Sequence, residues 1–143
     1  MKLNFIKNSI GLFLLSMLLC AVDCSDLPEH TYTLKNDSEK TIRIKSFKSD
    51  ILDNEINLEK GEIYIRKVKN QTVNFSNIFS STLLQSIDSL VVIYDETKMN
   101  SFVSSNEDIR NPIGHFNRDN DIITFIFTEE DYNNAINCEG NCE

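Results

Sequence analysis

Four cysteines are the residues whose type and spacing could do the most chemistry in this chain of 143 residues. Cys20 and Cys24 stand in "LLSMLLCAVDCSD", directly after an apolar run, and Cys138 and Cys142 stand in "NCEGNCE" near the other end. An apolar leader that runs into a cysteine suggests processing and lipidation. In that reading Cys20 leaves with the leader, and Cys24 becomes the new N-terminus and carries the lipid. Cys138 and Cys142 then remain as an even pair, free to form a disulfide in an oxidising compartment. Gly140 lies between them and can take the positive backbone dihedral that folds the two cysteines together. So small a ring removes only local unfolded-state entropy, on the order of 2 kcal/mol, which makes it a clasp on the tail and not a scaffold. Two alternatives stay open, a redox pair and unpaired or intermolecular thiols. A thioredoxin-like redox site, however, wants C-x-x-C opening a helix after a strand, and this spacing is C-x-x-x-C.

Other reactive constellations are thin. A zinc site needs four ligands, and the only histidines available to join the cysteines are His30 and His115. The run "RDND", Arg118 to Asp121, holds carboxylates but lacks the glycine and distal glutamate of a calcium loop, so it reads as a hairpin turn. There is no G-x-S-x-G elbow for a nucleophilic serine and no glycine-rich loop to cradle phosphate. Neighbouring carboxylates, Asp95 with Glu96 and Glu107 with Asp108, fall in expected loops. The sequence thus nominates no catalytic residue, no cofactor and no metal.

The leader has its own pattern. Lys2 and Lys7 make a short positive region, Ile10 to Leu19 is apolar, and no acid appears before Asp23. That run is too short to span a bilayer as a resident helix and reads as a signal peptide over residues 1–23. Its removal takes two lysines and Asp23 and moves the formal charge from −8 to −9. What remains is one domain's worth of chain, large enough for an ordinary core. Its acidity argues against nucleic acid, which needs clustered Lys and Arg, and permits a basic protein partner.

"LLCAVDCSD" resembles the lipobox region of bacterial lipoproteins, and "CSD" followed by Glu29 is similar to the start of cell-envelope lipoproteins of the Bacteroidota. Asp23 and Leu19 stand where that family places a small residue, so both Cys24 and Cys20 remain acceptors to weigh. The tail "FTEEDYNNAINCEGNCE" resembles those of small uncharacterised lipoproteins of the flavobacterial type, which carry no assigned activity. The triplet "DSL", Asp88 to Leu90, is similar to the short O-glycosylation signal of the same envelopes and would modify Ser89. The resemblance implies a chain lipid-anchored at Cys24 to the outer membrane, on its periplasmic or its surface face. Two or three acyl chains anchor stably where one does so marginally. The competing expectation is ordinary secretion, with cleavage after Ala21 or Ser25; in a eukaryote the sequons at Asn36, Asn70 and Asn74 would then be open to glycosylation.

Positioning elements follow from periodicity. Residues 24–30 contain Pro28 and no repeat, as suits a tether to a single domain over 31–143. "TYTLKN" sets Tyr32 and Leu34 on one side and "TIRIKSF" does the same with Ile42 and Ile44; with turn chemistry in "NDSEK" between them, the two read as a hairpin. "EINL" and "EIYIRKV" read as two further half-buried strands around Lys60-Gly61, with Ile63 and Ile65 alternating against Glu62, Tyr64 and Arg66. "SLVVIYD" and "IITFIF" are apolar on both sides, the pattern of central strands covered on both faces. Phe75, Ile78, Phe79, Thr82, Leu83, Ser86 and Ile87 recur at helical spacing, predicting a short amphipathic helix over about 76–87, with a strand "QTVNF" as its rival. Thr128 reads as the N-cap of a C-terminal helix whose first turn holds Glu129, Glu130 and Asp131, with Phe127 and Tyr132 in the staple positions.

These elements predict a mainly β fold, an antiparallel two-layer sandwich of immunoglobulin-like or related kind with one or two short helices; a closed barrel is the alternative. The expected role is an envelope-anchored, non-catalytic binding or interaction module. An inhibitor or immunity-type lipoprotein that neutralises a basic hydrolase such as a lysozyme is the second expectation.

Overall fold

A computed structural model describes residues 27–69, 78–82, 86–106, 108–114, 117–119, 121–140 and 142. In chain order the elements are β1 (Glu29–Asn36), β2 (Ile42–Lys48), β3 (Ile51–Leu58), β4 (Ile63–Lys69), β5 (Ser89–Tyr94), β6 (Lys98–Val103), β7 (Asn117–Asp119), β8 (Ile122–Phe127), α1 (Glu129–Asn134) and β9 (Ile136–Asn137). They form a β-sandwich and not a closed barrel. One sheet has four strands in the order β4-β1-β8-β7, and the other has five in the order β3-β2-β5-β6-β9. Every pairing is antiparallel except that of β1 with β8, which run parallel.

Alternation builds the core. Tyr32 and Leu34 from β1, Ile42 and Ile44 from β2, Leu90 and Val92 from β5, and Ile123, Phe125 and Phe127 from β8 are buried in one cluster between the sheets. Each lies two residues from its neighbour, as the pleat requires. The continuously apolar β5 and β8 sit inside their sheets, flanked on both sides by other strands, but the expected cover on both faces fails for β8, whose outward residues Ile122, Thr124 and Ile126 are exposed or half-buried. The "RDND" run closes the β7–β8 hairpin, as its composition predicts.

The expected β1–β2 hairpin is not formed. β1 and β2 belong to opposite sheets, so "NDSEK" carries the chain across the sandwich instead of back along one sheet. Buried Asn36 explains the crossing. Its amide donates to the carbonyls of Lys40, Leu58 and Glu59 at 2.7, 3.2 and 3.1 Å, and its oxygen accepts from Ser38 N–H and Oγ at 3.1 and 2.7 Å. One side chain thus satisfies the backbone of a turn and of the facing sheet's strand end.

β4 also differs from expectation. Its core face is Tyr64, Arg66 and Val68, and Ile63 and Ile65 point to solvent, 52% and 58% exposed. In a strand with apolar residues at both parities the face is chosen by pairing register, and here Tyr64 opposes Leu34 and Val68 opposes His30, both inward-facing residues of β1. The helix expected over 76–87 is not formed in the part of it that is described, residues 78–82 and 86–87. Those described within it are a 3₁₀ residue at Ile78, turn or bend through Thr82, and irregular chain at Ser86 and Ile87. The rival strand "QTVNF" lies outside the described residues.

Two hairpins turn tightly without glycine. Ser49 and Asp50, between β2 and β3, have φ of 49° and 63°, and Asp95 and Glu96, between β5 and β6, have 46° and 55°. Left-handed dihedrals at both central positions give the primed turn whose twist matches that of the strands. The C-terminal helix forms as predicted. Thr128 accepts from the Asp131 N–H, and the Asp131 carboxylate accepts from the Thr128 N–H, a complete capping box.

Candidate functional site

The sandwich has two ends, and the sequence treats them differently. At the entry end the chain comes in through Leu27 and Pro28, beside the β2–β3 hairpin and the start of β8. The far end gathers the crossing at 37–41, the β3–β4 turn, the β5–β6 turn, α1 and the tail. Cys24 and Cys20, the candidate lipid acceptors, lie outside the described residues, as do His115, Glu107, Asn70 and Asn74.

His30 is buried on the core face at the entry end, in line with Tyr32 and Leu34. Its Nδ1 stands 3.6 Å from the Asp121 carboxylate, and neither ring nitrogen has a hydrogen-bond partner among the described residues. Among the described residues, no three His, Cys, Asp or Glu side chains come together as metal ligands would. No helix among them is long and apolar enough to cross a membrane.

A short clamp joins the two sheets along the β3 and β4 edges. The Phe79 carbonyl accepts from Ser46 Oγ at 2.7 Å and from Asn54 Nδ2 at 3.2 Å. Arg66 donates to the Ser80 carbonyl, and the Asp53 carboxylate accepts from Ser81 N–H and Oγ, each at 2.7 Å. Those two Ser81 bonds hold the Asp53 carboxyl below the usual carboxylate range, against the opposing pull of burial.

At the far end, the strained β5–β6 turn is tied into its surroundings. Asp95 accepts from Thr41 N–H and Oγ1 at 2.8 and 3.0 Å and faces Lys40 at 3.4 Å. Desolvation is the largest single influence on its carboxyl and pushes upward, but the Thr41 bonds and Lys40 together outweigh it, so the group titrates below the usual range. Glu96 pairs with Arg43. Together with Thr41, Ile42, Asn57, Leu58 and Glu59, these two line a shallow cleft of about 190 Å³. The ring of Tyr132 on α1 is held between Lys40 and Lys98, at 4.7 and 4.6 Å from its centroid. Burial, aided by the nearby Asp131 carboxylate, pushes the Tyr94 phenol well above its ordinary value. These carboxylates serve turns, a cap and neighbouring cations.

Cys138 and Cys142 stand at disulfide distance, their Cα atoms 5.3 Å apart, with Gly140 at φ +100° in the ring between them. The tail reaches this position by pairing β9 with β6 and by donating the Cys138 N–H to the Thr97 carbonyl. Cys142 is buried, and its carbonyl lies 3.5 Å from Arg43 Nη2. Arg43 is the register partner of Ile93, an outward-facing residue of β5 that is nevertheless buried and stands apart from the main core. The disulfide loop therefore docks on the outer face of the five-stranded sheet.

The outer face of the other sheet carries Ile63 and Ile65, both more than half exposed among the described residues. Ile65 neighbours Thr33, which neighbours Thr124, and Ile63 neighbours Lys35, which neighbours Ile126. Periodicity alone missed this stripe, because it assigned Ile63 and Ile65 to a buried face.

Two modification signals can be placed. Asn36 of the first sequon is fully buried and uses both ends of its amide, so a glycan has no room there in the folded chain. Ser89 of "DSL" is half-buried at the start of β5, and the adjacent Asp88 carboxylate accepts from the Ser49 N–H at 2.8 Å. Comparisons with protein-family models, with curated proteins and with solved structures returned no match.

Proposed function

We propose that this chain is a cell-envelope lipoprotein, anchored to the outer membrane by lipid on Cys24, that acts as a non-catalytic binding module. The anchor rests on the leader and its terminal cysteine. The observation that carries the binding reading is the stripe of Ile63, Ile65, Thr33, Thr124 and Ile126 on the outer face of the four-stranded sheet. Two isoleucines more than half exposed, side by side on a flat pleated surface, have the character of an interaction surface and not of scattered surface residues. Threonines beside them supply neutral hydrogen-bonding groups, and Lys35, paired with Asp37 at 3.0 Å, lies between Ile63 and Ile126. The partner engages this face as a protein surface would, with apolar contacts across the pleat.

Two substitutions test the halves of this reading separately. C24S is expected to move the protein from the membrane fraction to the soluble one, and continued sedimentation with membranes would refute the anchor. A photo-crosslinking residue at position 65 is expected to give a discrete adduct in cells of the native host that the same residue at exposed position 55, on the other sheet, does not give. Equal labelling at both positions would refute the binding face.

A second reading, an inhibitor of a basic hydrolase such as a lysozyme, is favoured by the charge of the far end. Glu39, Glu59, Glu62, Glu129 and Glu130 are exposed around its turns. This reading predicts binding that weakens steeply as salt rises. No binding to a cationic hydrolase at low salt would remove it.

A further inference from the structure

We infer that the entry end of the sandwich rests on the bilayer surface, with the tip of the β2–β3 hairpin in contact with lipid. The inference rests on the lipid anchor proposed above and adds a docked orientation to it. From Cys24 to Glu29 is five residue steps. At about 3.5 Å per step, this keeps the start of β1 within roughly 18 Å of an acylated Cys24, so the entry end is the part of the domain that meets the membrane.

That end is built for the contact. Ile51 and Leu52 project from the hairpin, 72% and 50% exposed, although they open a strand whose later residues Ile56 and Leu58 are buried. Leu27, Val103 and Ile122, each about half exposed, are at the same end. The hydrogen bonds from Asp88 N–H to the Phe47 carbonyl and from Ser104 N–H to the Asp88 carbonyl draw the β2, β5 and β6 ends into one surface. The Ser49 N–H bond to the Asp88 carboxylate fixes the hairpin tip to that surface. Lys48 and Lys69 stand at this end too, whereas Lys67 is paired with Glu29 at 3.3 Å and the exposed carboxylates of Asp50, Asp88 and Asp121 share the surface, so the contact is carried by the apolar side chains and not by net charge. The apolar tip therefore favours the same orientation that the tether sets.

The test uses the full chain, processed and acylated in a lipoprotein-processing bacterium and reconstituted into vesicles of phosphatidylethanolamine and phosphatidylglycerol. A fluorophore is placed at the entry end through S105C or at the far end through E130C; both positions are exposed. Doxyl-labelled lipid is expected to quench the fluorophore at 105 at least several-fold more than the one at 130. I51S/L52S, which alters only exposed side chains, is expected to reduce that difference at least two-fold while the protein still floats with the vesicles. An acylated chain that floats with both positions quenched alike, or neither quenched, overturns the inference and leaves the anchor standing. A chain that carries no acyl mass and does not float overturns the anchor, and the inference with it.

Discussion

Asn36 offers the sharpest test of how this fold is held, because one side chain closes the crossing between sheets. Asn36→Ala removes the amide that serves the Lys40, Leu58 and Glu59 carbonyls and the oxygen that serves Ser38. The bonds to the Leu58 carbonyl, the Ser38 N–H and the Ser38 hydroxyl are buried, whereas the Lys40 and Glu59 carbonyls are partly open to water. Water can replace the open ones at little cost. Buried groups left without a partner cost about 1–3 kcal/mol each, and the Ser38 hydroxyl can rotate to recover part of that loss. The sum is a destabilisation of about 3 kcal/mol, a large share of the roughly 5–15 kcal/mol that a domain of this kind has in total. In urea, with a slope of about 1.5–2 kcal/mol per molar, the midpoint falls by about 1.5–2 M. Asp37→Ala, at an exposed neighbour, should move it hardly at all. A midpoint for Asn36→Ala within the error of Asp37→Ala would refute the claim that Asn36 closes the crossing.

Three further outcomes follow from the same geometry. Asp50 holds φ +63° at an exposed turn, so D50G is expected to stabilise the protein by about 0.5 kcal/mol, read as a higher Tm; a lower Tm would show that the turn is not strained at that residue. Reducing the Cys138–Cys142 pair is expected to cost no more than about 2 kcal/mol. It should deprotect the amides of 136–138 and of Ile93 in hydrogen exchange while β1 and β8 stay protected, and loss of protection throughout would contradict a local clasp. Asp53 titrates below the usual carboxylate range because of its two Ser81 bonds, so its contribution is present above the unfolded-state pKa and lost as pH falls through the lower folded-state pKa. D53N should therefore be less stable at neutral pH and fall less steeply in acid than the parent, and parallel pH profiles would refute the assignment.

Alternation carried the parts of the fold in which burial is decided by residue type. Tyr32, Leu34, Ile42 and Ile44 are on the core face where their spacing put them, and the continuously apolar β5 and β8 are interior strands. Thr128 was legible as a cap because its three following acids and the cap act within one turn. Pairing was not legible in the same way. Turn residues in "NDSEK" report that the chain bends, but whether it bends back along one sheet or over to another is settled by the long-range bonds of Asn36 to Leu58 and Glu59. β4 failed for a related reason: with Ile63, Ile65, Tyr64 and Val68 all apolar, its face is set by register against β1. Of the candidate site residues, Cys138 and Cys142 were legible as an even pair around Gly140, whereas the burial of Ile93 and the half-burial of Arg43 beneath the tail depend on where β9 pairs.

The central claim, an envelope lipoprotein anchored through Cys24, is tested most directly by the intact and peptide-level mass of the protein taken from membranes of its native host. The account predicts a diacyl or triacyl adduct on an N-terminal Cys24 and a loss of two hydrogens across Cys138 and Cys142. An unmodified N-terminus at Val22 or Asp26 would contradict it.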